Sequence, residues 1–327
     1  MFQRRVPVWV KHAPAPSIRG FAFLAGMEAL ARGVLVSVFP VVMYRAFQDA
    51  TVVSEIYFAI GLCSLIGGLL VPWITRFVPR RWMYTFGCTL YLAGACLAIQ
   101  GSPLTTAAAL ACNTIGVVVI FVCFNAYVLD YVAQIELGAC ETLRMFYSAL
   151  AWTAGPVCGV WLLHWWAPAP FVISGFFALC LLVVFWVMRL GNGKLISRAK
   201  TAPANPLAFV GRFFTKPRLV TGWLFAVIRS CGWWVYVVYV PIFAVENGMS
   251  ERLGGVMLSL SNALLFFTPL MLRWMRRRSV RTAVRIGFLG AGLSFVAAAF
   301  AAILPWSTMG LLMFGSVFLI LLDISAG

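Results

Sequence analysis

The chain is written in apolar stretches of about 20 residues separated by short turns. That pattern constrains the fold more than any single motif does. A hydrocarbon core of about 30 Å is crossed by about 20 helical residues, each rising about 1.5 Å. Ten stretches of this kind are present: 20–44, 52–75, 82–100, 104–128, 143–166, 170–190, 219–244, 252–273, 284–304 and 307–326. The turns carry helix-ending chemistry, as in QGSP at 100–103, WAPAP at 166–170 and LPWST at 304–308. Composition agrees, with 63% of the 327 residues hydrophobic, 10% charged and a mean hydropathy of +0.96. Soluble domains sit near roughly 45–50% apolar and 25% charged. The expected fold class is an all-α polytopic membrane protein.

The basic residues orient the spans. Of 25 Lys and Arg, 21 fall on one side: the N-terminal tail, the turn with Arg76, Arg80 and Arg81, Arg144, the stretch 189–218 and the turn 273–285. Only Arg45 and Arg252 fall on the other, and Arg32 and Arg229 lie within spans. Positive charge stays on the cytoplasmic side. The N-terminus and central loop are therefore expected in the cytoplasm, and the chain in a bacterial inner (plasma) membrane. The net charge of +16 is then a membrane signature, and nucleic acid is not an expected partner. The first apolar run is too long for a cleaved signal peptide and carries two charges, so it reads as the first span.

Metal and redox chemistry find little support. The nine cysteines are scattered singly, without a CxxC pair, and read as small core residues. His164, in LLHWW, sits at a span end between apolar and interfacial residues and reads as an anchor. No metal site, cofactor or catalytic residue is expected. The absence of HExxH, GxSxG and P-loop patterns argues against an enzyme.

The unusual feature is GMEALARG, Gly26 to Gly33, which places Glu28 and Arg32 inside the first span. A charge at a span centre costs roughly 2.5–3.5 kcal/mol on insertion scales and faces a cavity or a partner. Four residues apart on a helix, Glu28 and Arg32 share a face. They either neutralise each other as a staple or line a central cavity.

A repeat bears on that choice. PWITRFVPRR, Pro72 to Arg81, matches PLMLRWMRRR, Pro269 to Arg278, at an offset of 197, aligning Arg80 and Arg81 with Arg277 and Arg278. Pro40 and Pro241 match at an offset of 201, and at that offset Glu28 falls on Arg229. From the span starts, Glu28 lies about 12 Å deep, Arg229 about 15 Å and Arg32 about 18 Å. Three charges thus sit near mid-depth on equivalent spans of two parallel halves. Asn113, Asn262 and Tyr236 are further candidates for a substrate or proton cavity. Either asparagine equally serves helix packing, and Ser230, Trp233, Trp234 and Tyr236 make either an aromatic wall or ordinary packing.

These features resemble the major facilitator superfamily, with two six-helix halves and basic turns after spans two and eight. The fifth span reads AWTAGPVCGV, Ala151 to Val160, and Gly155, Pro156 and Gly159 match the family's fifth-helix motif. In the family that motif is associated with exporters and antiporters. The resemblance implies two pseudo-symmetric helix bundles, with residues 1–190 as the first, 191–218 as a cytoplasmic basic linker and 219–327 as a second, incomplete bundle. Residues 207–218 fit an interfacial helix or a plain connector. Two departures stand out: Arg76 occupies the family's Asp position in the turn after span two, and ten spans replace twelve, as in a truncated chain. Asp130, Glu136, Glu141 and Arg144 are expected to form salt bridges of the inward gate.

The expected function is a secondary active transporter moving a small organic solute, anionic or polar, by alternating access as a monomer in the bilayer. Proton coupling through Glu28 and export are the expected mode. Two alternatives are a membrane-embedded lipid-modifying enzyme and a non-transporting fragment or assembly partner.

Overall fold

The computed structural model describes residues 18–132, 136–188 and 210–326, and these form helices joined by short turns. The basic tail before residue 18 and most of the linker, 189–209, lie outside the described residues. The first group contains α1 (Ile18–Gly33), α2 (Val38–Phe47), α3 (Ala50–Ile74), α4 (Arg80–Ile99), α5 (Pro103–Tyr131), α6 (Leu137–Trp165) and α7 (Ala169–Val187). After the short α8 (Val210–Phe214) come α9 (Pro217–Glu246), α10 (Glu251–Ala263), a 3-10 turn Leu264–Phe267, α11 (Thr268–Arg278), α12 (Val280–Phe300) and α13 (Pro305–Ala326).

Local chemistry sets the helix ends. Asp49 caps α3 by accepting from the Thr51 N–H. Ser102 and Thr105 form a reciprocal capping box at α5, with Pro103 in the first turn, where its missing N–H costs nothing.

Two of the ten expected spans are broken. The first divides at 34–37, where Leu35 N–H bonds Arg32 O and Val38 N–H bonds Leu35 O in tighter three-residue steps. Pro40 has no N–H, and restarting the helix at Val38 puts it in a first turn. The eighth divides at the 3-10 turn, and Pro269 then falls in the first turn of α11. Neither α10 nor α11 alone is long enough to cross a bilayer. Among the described residues, nine helical segments are long and apolar enough to do so, with α1 and α2 taken together as one.

Packing follows small residues and aromatics. The first group's core joins α1, α4, α5 and α7, with Tyr84 stacked on Phe185 at 4.1 Å and Phe21 edge-on to Phe124. α1 runs against α6 through glycines: a Cβ on Gly155 would lie 2.5 Å from the Gly33 carbonyl carbon, and one on Gly33 would lie 2.8 Å from Ala151 O. Gly159 meets the Val34 carbonyl even more closely. α3, by contrast, shows most of its surface to the outside, as a lipid-facing helix does.

The two groups touch mainly where α6 meets α10 and where α2 meets α9. These contacts run from the end opposite the arginine-rich turns to about mid-depth. Arg45 on α2 makes a bidentate ion pair with Glu251 on α10, donating through Nε at 2.7 Å and through its terminal nitrogen. His164 Nδ1 lies 3.6 Å from the same carboxylate, and Arg252 stacks 4.8 Å from the Trp161 ring. Ser54 on α3 and Tyr239 on α9 share a hydrogen bond.

Candidate functional site

The break in the first span shapes the centre of the molecule. Ser37, fully buried in the break, donates to Pro156 O at 2.7 Å, and Ser174 on α7 donates to Ala31 O at 2.7 Å. At the next residue, Val157 N–H donates to Ser259 Oγ of α10 at 3.0 Å. A Cβ on Gly255 would lie 2.8 Å from Pro156 O, so α10 approaches Pro156 at backbone distance. The Gly-Pro-Gly pattern of the fifth span is thus a three-way junction between α6, the first-span break and α10.

Just toward the arginine-rich end of this junction lie the charges. Glu28 Oε1 is 3.2 Å from Arg32 Nε and accepts from the Tyr91 hydroxyl at 3.3 Å. The Arg32 Nε contact is an ion pair without hydrogen-bond alignment, since that nitrogen is buried without a hydrogen-bond partner. The second contact, from the terminal nitrogen to Glu28 Oε2, is long at 3.5 Å. One helix turn brings the two side chains together but does not let them align well. The Arg32 guanidinium rests instead 4.6 Å from the centroid of the Trp152 ring on α6.

Trp152 leads to a cavity of about 220 Å³ lined by Trp152, Arg229, Trp233, Asn262, Leu265, Leu319 and Ile320. These residues come from α6, α9, α10, the 3-10 turn and α13, so the cavity lies between the two groups. Arg229 lies 3.4 Å from Ser230 Oγ, within hydrogen-bonding range. Asn262 donates its Nδ2 to Leu258 O at 2.9 Å.

The expected residues therefore separate. Arg229 and Asn262 line the cavity, and Arg32 joins it through Trp152. Glu28 sits behind Arg32. Tyr236 does not line it: it is 1% exposed, and its hydroxyl belongs to a chain with Ser261 at 2.8 Å and Ser316 beyond at 2.7 Å. That chain ties α9 to α10 and α13 and backs Trp233, whose ring lies 5.9 Å from Tyr236. Asn113 is buried on the α5 face that meets α4 at Gly94, away from the cavity lining.

The gate residues also rearrange. Asp130 pairs with Arg80, whose guanidinium lies 5.3 Å from the Tyr127 ring. Arg144 pairs with Glu141 and donates to Asn125 Oδ1 at 3.1 Å. These links join α4, α5 and α6 within the first group. Glu136 precedes α6 and caps no side-chain bond. Arg81 lies 6.0 Å from the Trp82 ring, and Arg277 and Arg278 are exposed at the end of α11.

Sequence reasoning missed Trp152, Tyr91 and the Arg45–Glu251 pair. Trp152 stands inside the fifth-span motif, three residues before Gly155. Arg45 is one of only two basic residues on its side, where four carboxylates gather, and that imbalance was the available signal.

The fold is that of a helical membrane protein with paired charges inside a span and a cavity between two helix groups. The family model for the Major Facilitator Superfamily matches residues 21–326, and the chain belongs to that family. No curated protein matches the sequence. Among solved structures, a D-xylose-proton symporter is similar at a TM-score of 0.69 and 14% identity, over 92% of this chain and 79% of that one. A bacterial homologue of the iron transporter ferroportin, in an inward-facing state, is similar at 0.64 and 14%, over 94% of this chain and 82% of that one. At such identity the likeness is one of fold.

Proposed function

We propose that this chain is a secondary active transporter that carries a small anionic or polar organic solute by alternating access, coupled to protons and running as an exporter. The observation that carries the reading is the cavity between the helix groups with Arg229 in its wall and Arg32 joined to it through Trp152. Among the described side chains, two cationic groups stand near one carboxylate, which supports an anion over a cation.

The contacts between the groups lie away from the arginine-rich end, which supports a conformation closed outward and open to the cytoplasm. In this reading the arginine-rich end is cytoplasmic. Residues 1–190 and 219–327 rock as two bundles about the junction at Pro156, and 191–218 links them. Arg80, Arg81, Arg277 and Arg278 sit at the cytoplasmic turns, with Asp130 holding Arg80.

Glu28 is the proton carrier. It faces Arg32 and Tyr91, with Tyr84 and Cys88 nearby on α4. Protonation releases Arg32 from Glu28 and leaves it to Trp152 and the solute. The export direction rests on the fifth-span motif.

Reconstituted vesicles with an imposed pH gradient test the reading. The parent is expected to drive flux of an organic anion, and Glu28→Gln to retain downhill exchange while losing the pH-driven component. Full pH-driven flux in Glu28→Gln would remove Glu28 from the mechanism, and flux of cations alone would overturn the charge argument.

A further inference from the structure

We infer that the closure opposite the arginine-rich turns is a pH-sensitive lock with His164 as its titrating member. A protonated His164 ring on α6 holds Glu251 of α10 and keeps that end shut, and a neutral ring loosens it. The inference rests on the alternating-access reading above, in which the two helix groups part at this end.

The lock has a constant half and a variable half. Arg45 and His164 belong to the first group and Glu251 to the second. Arg45 pairs with the carboxylate through two nitrogens, and a guanidinium keeps its charge throughout the physiological range. His164 Nδ1 stands 3.6 Å from the same carboxylate, too far for a hydrogen bond. A neutral ring at that distance adds little, whereas a protonated one brings a second cation to Glu251. Imidazole is the side chain whose charge ordinarily changes between about pH 5 and 8.

Protons can reach the ring. The His164 side chain is 25% exposed, and a cavity of about 240 Å³ lies alongside, with Arg45, Leu163 and Pro168 in its wall.

The surrounding charges set the sign. Attraction to Glu251 crosses between the groups, so it exists only while this end is closed, and protonation shifts the population toward closure. Repulsion from Arg45 stays within the first group and weighs on both conformations alike. Arg252 of α10 is the opposing cation from the second group, and its guanidinium is held over the Trp161 ring at 4.8 Å. Glu246, ending α9, is taken by the Tyr44 hydroxyl of α2. Cys158 of α6 lies nearly two turns back along the same helix, and Cys180 lies about 17 Å along α7 from its start. Glu28 and Arg32 of α1 meet α6 near Trp152, about 18 Å further along that helix.

Double electron–electron resonance on the full chain in lipid nanodiscs tests this without a solute. Spin labels at Leu104→Cys and Ile303→Cys, in a cysteine-free background, report the separation of the two groups at this end. Both positions are strongly exposed, one at the start of α5 and one in the turn before α13. Labels are attached before the pH is set, so thiol chemistry does not enter. From about pH 8 to about pH 5.5 the ratio of short- to long-distance populations is expected to rise about two- to fivefold, the worth of a partly exposed ion pair. His164→Gln is expected to remove the pH dependence, and His164→Lys to keep the short distance dominant at both pH values. Glu251→Gln is expected to remove the dependence with the ring still in place. The dependence is expected to survive Glu28→Gln, which separates it from the transport proton.

A parent ratio that ignores pH overturns the inference, as does a dependence that persists in His164→Gln. Opening in acid overturns the sign and hands the effect to Arg252. Loss of the dependence in Glu28→Gln assigns the titration to Glu28 instead. If His164→Gln fails to fold, the parent and Glu251→Gln decide. The two readings fail separately. Short and long distances that interchange without regard to pH leave alternating access standing and remove the switch. A single distance in every variant at both pH values removes the movement itself, and the alternating-access reading with it.

Discussion

At the scale of single residues, glycine decides how closely the halves of the first group approach. Gly159 touches the Val34 carbonyl and Gly155 the Gly33 backbone, while Gly61 on lipid-facing α3 has nothing within 4 Å. A matched pair of alanine substitutions separates these roles. Gly159→Ala is expected to destabilise by about 1–3 kcal/mol, the cost of forcing a methyl into a packed contact. Gly61→Ala is expected to be neutral or slightly stabilising through helix propensity. Thermal unfolding of the two variants in one detergent checks both, and equal shifts would refute the packing account. The pairing of Glu28 with Arg32 was legible at this scale because four-residue spacing fixes a shared helix face. Its imperfect alignment was not, because that depends on Trp152 and Tyr91 drawing the two side chains toward α6 and α4.

At the scale of helices, the fifth-span motif acts through two adjacent backbone groups, those of Pro156 and Val157. Ser37 donates to the Pro156 carbonyl, and the next residue, Val157, turns its N–H to Ser259. The two serines belong to different helix groups and meet at adjacent residues of α6. Ser37→Ala and Ser259→Ala are each expected to cost about 1 kcal/mol, near the net worth of one buried hydrogen bond. The double variant is expected to depart from additivity, because both bonds hold adjacent residues of one helix. Melting temperatures of the two single variants and the double variant measure the coupling, and strict additivity would mean the bonds are independent. The motif itself was visible in the sequence. Its partners were not, since a serine in an apolar span gives no sign of which carbonyl it will find. The divisions of spans one and eight follow the same logic. Pro40 and Pro269 marked where an uninterrupted helix was unfavourable, but Pro241 lies inside an unbroken α9, so proline alone did not predict a break.

At the scale of the whole molecule, the end opposite the arginine-rich turns is held by charges from both groups. Arg45, Glu251 and His164 converge there from α2, α10 and α6. Neutralising the lock with Glu251→Gln is expected to raise the access of a thiol probe, added from that side, to Asn262→Cys in a cysteine-free background. Swapping the charges, Arg45→Glu with Glu251→Arg, is expected to restore protection. Unchanged labelling across the series would mean that packing, not the ion pair, closes that end. The same background tests orientation. An impermeant probe applied to intact cells is expected to label Gly101→Cys and to spare Ser279→Cys, and the opposite pattern would invert the topology.

The sequence by itself determined the solvent, the number of apolar stretches, the charge asymmetry between the two faces and the Gly-Pro-Gly motif of the fifth span. Each follows from local composition and period, because a bilayer forces every span to satisfy its own backbone. Tertiary structure alone decided which charges meet. Arg229 and Asn262 reach the cavity because α9, α10 and α13 pack around it. Tyr236, seven residues beyond Arg229 on the same helix, is turned instead into the Ser261–Ser316 chain. Residues two turns apart on a helix share a face only approximately, and the neighbouring helices choose between cavity and core. Likewise Arg45 and Glu251 stand 206 residues apart in the chain, and only the closure of one helix group on the other makes them partners.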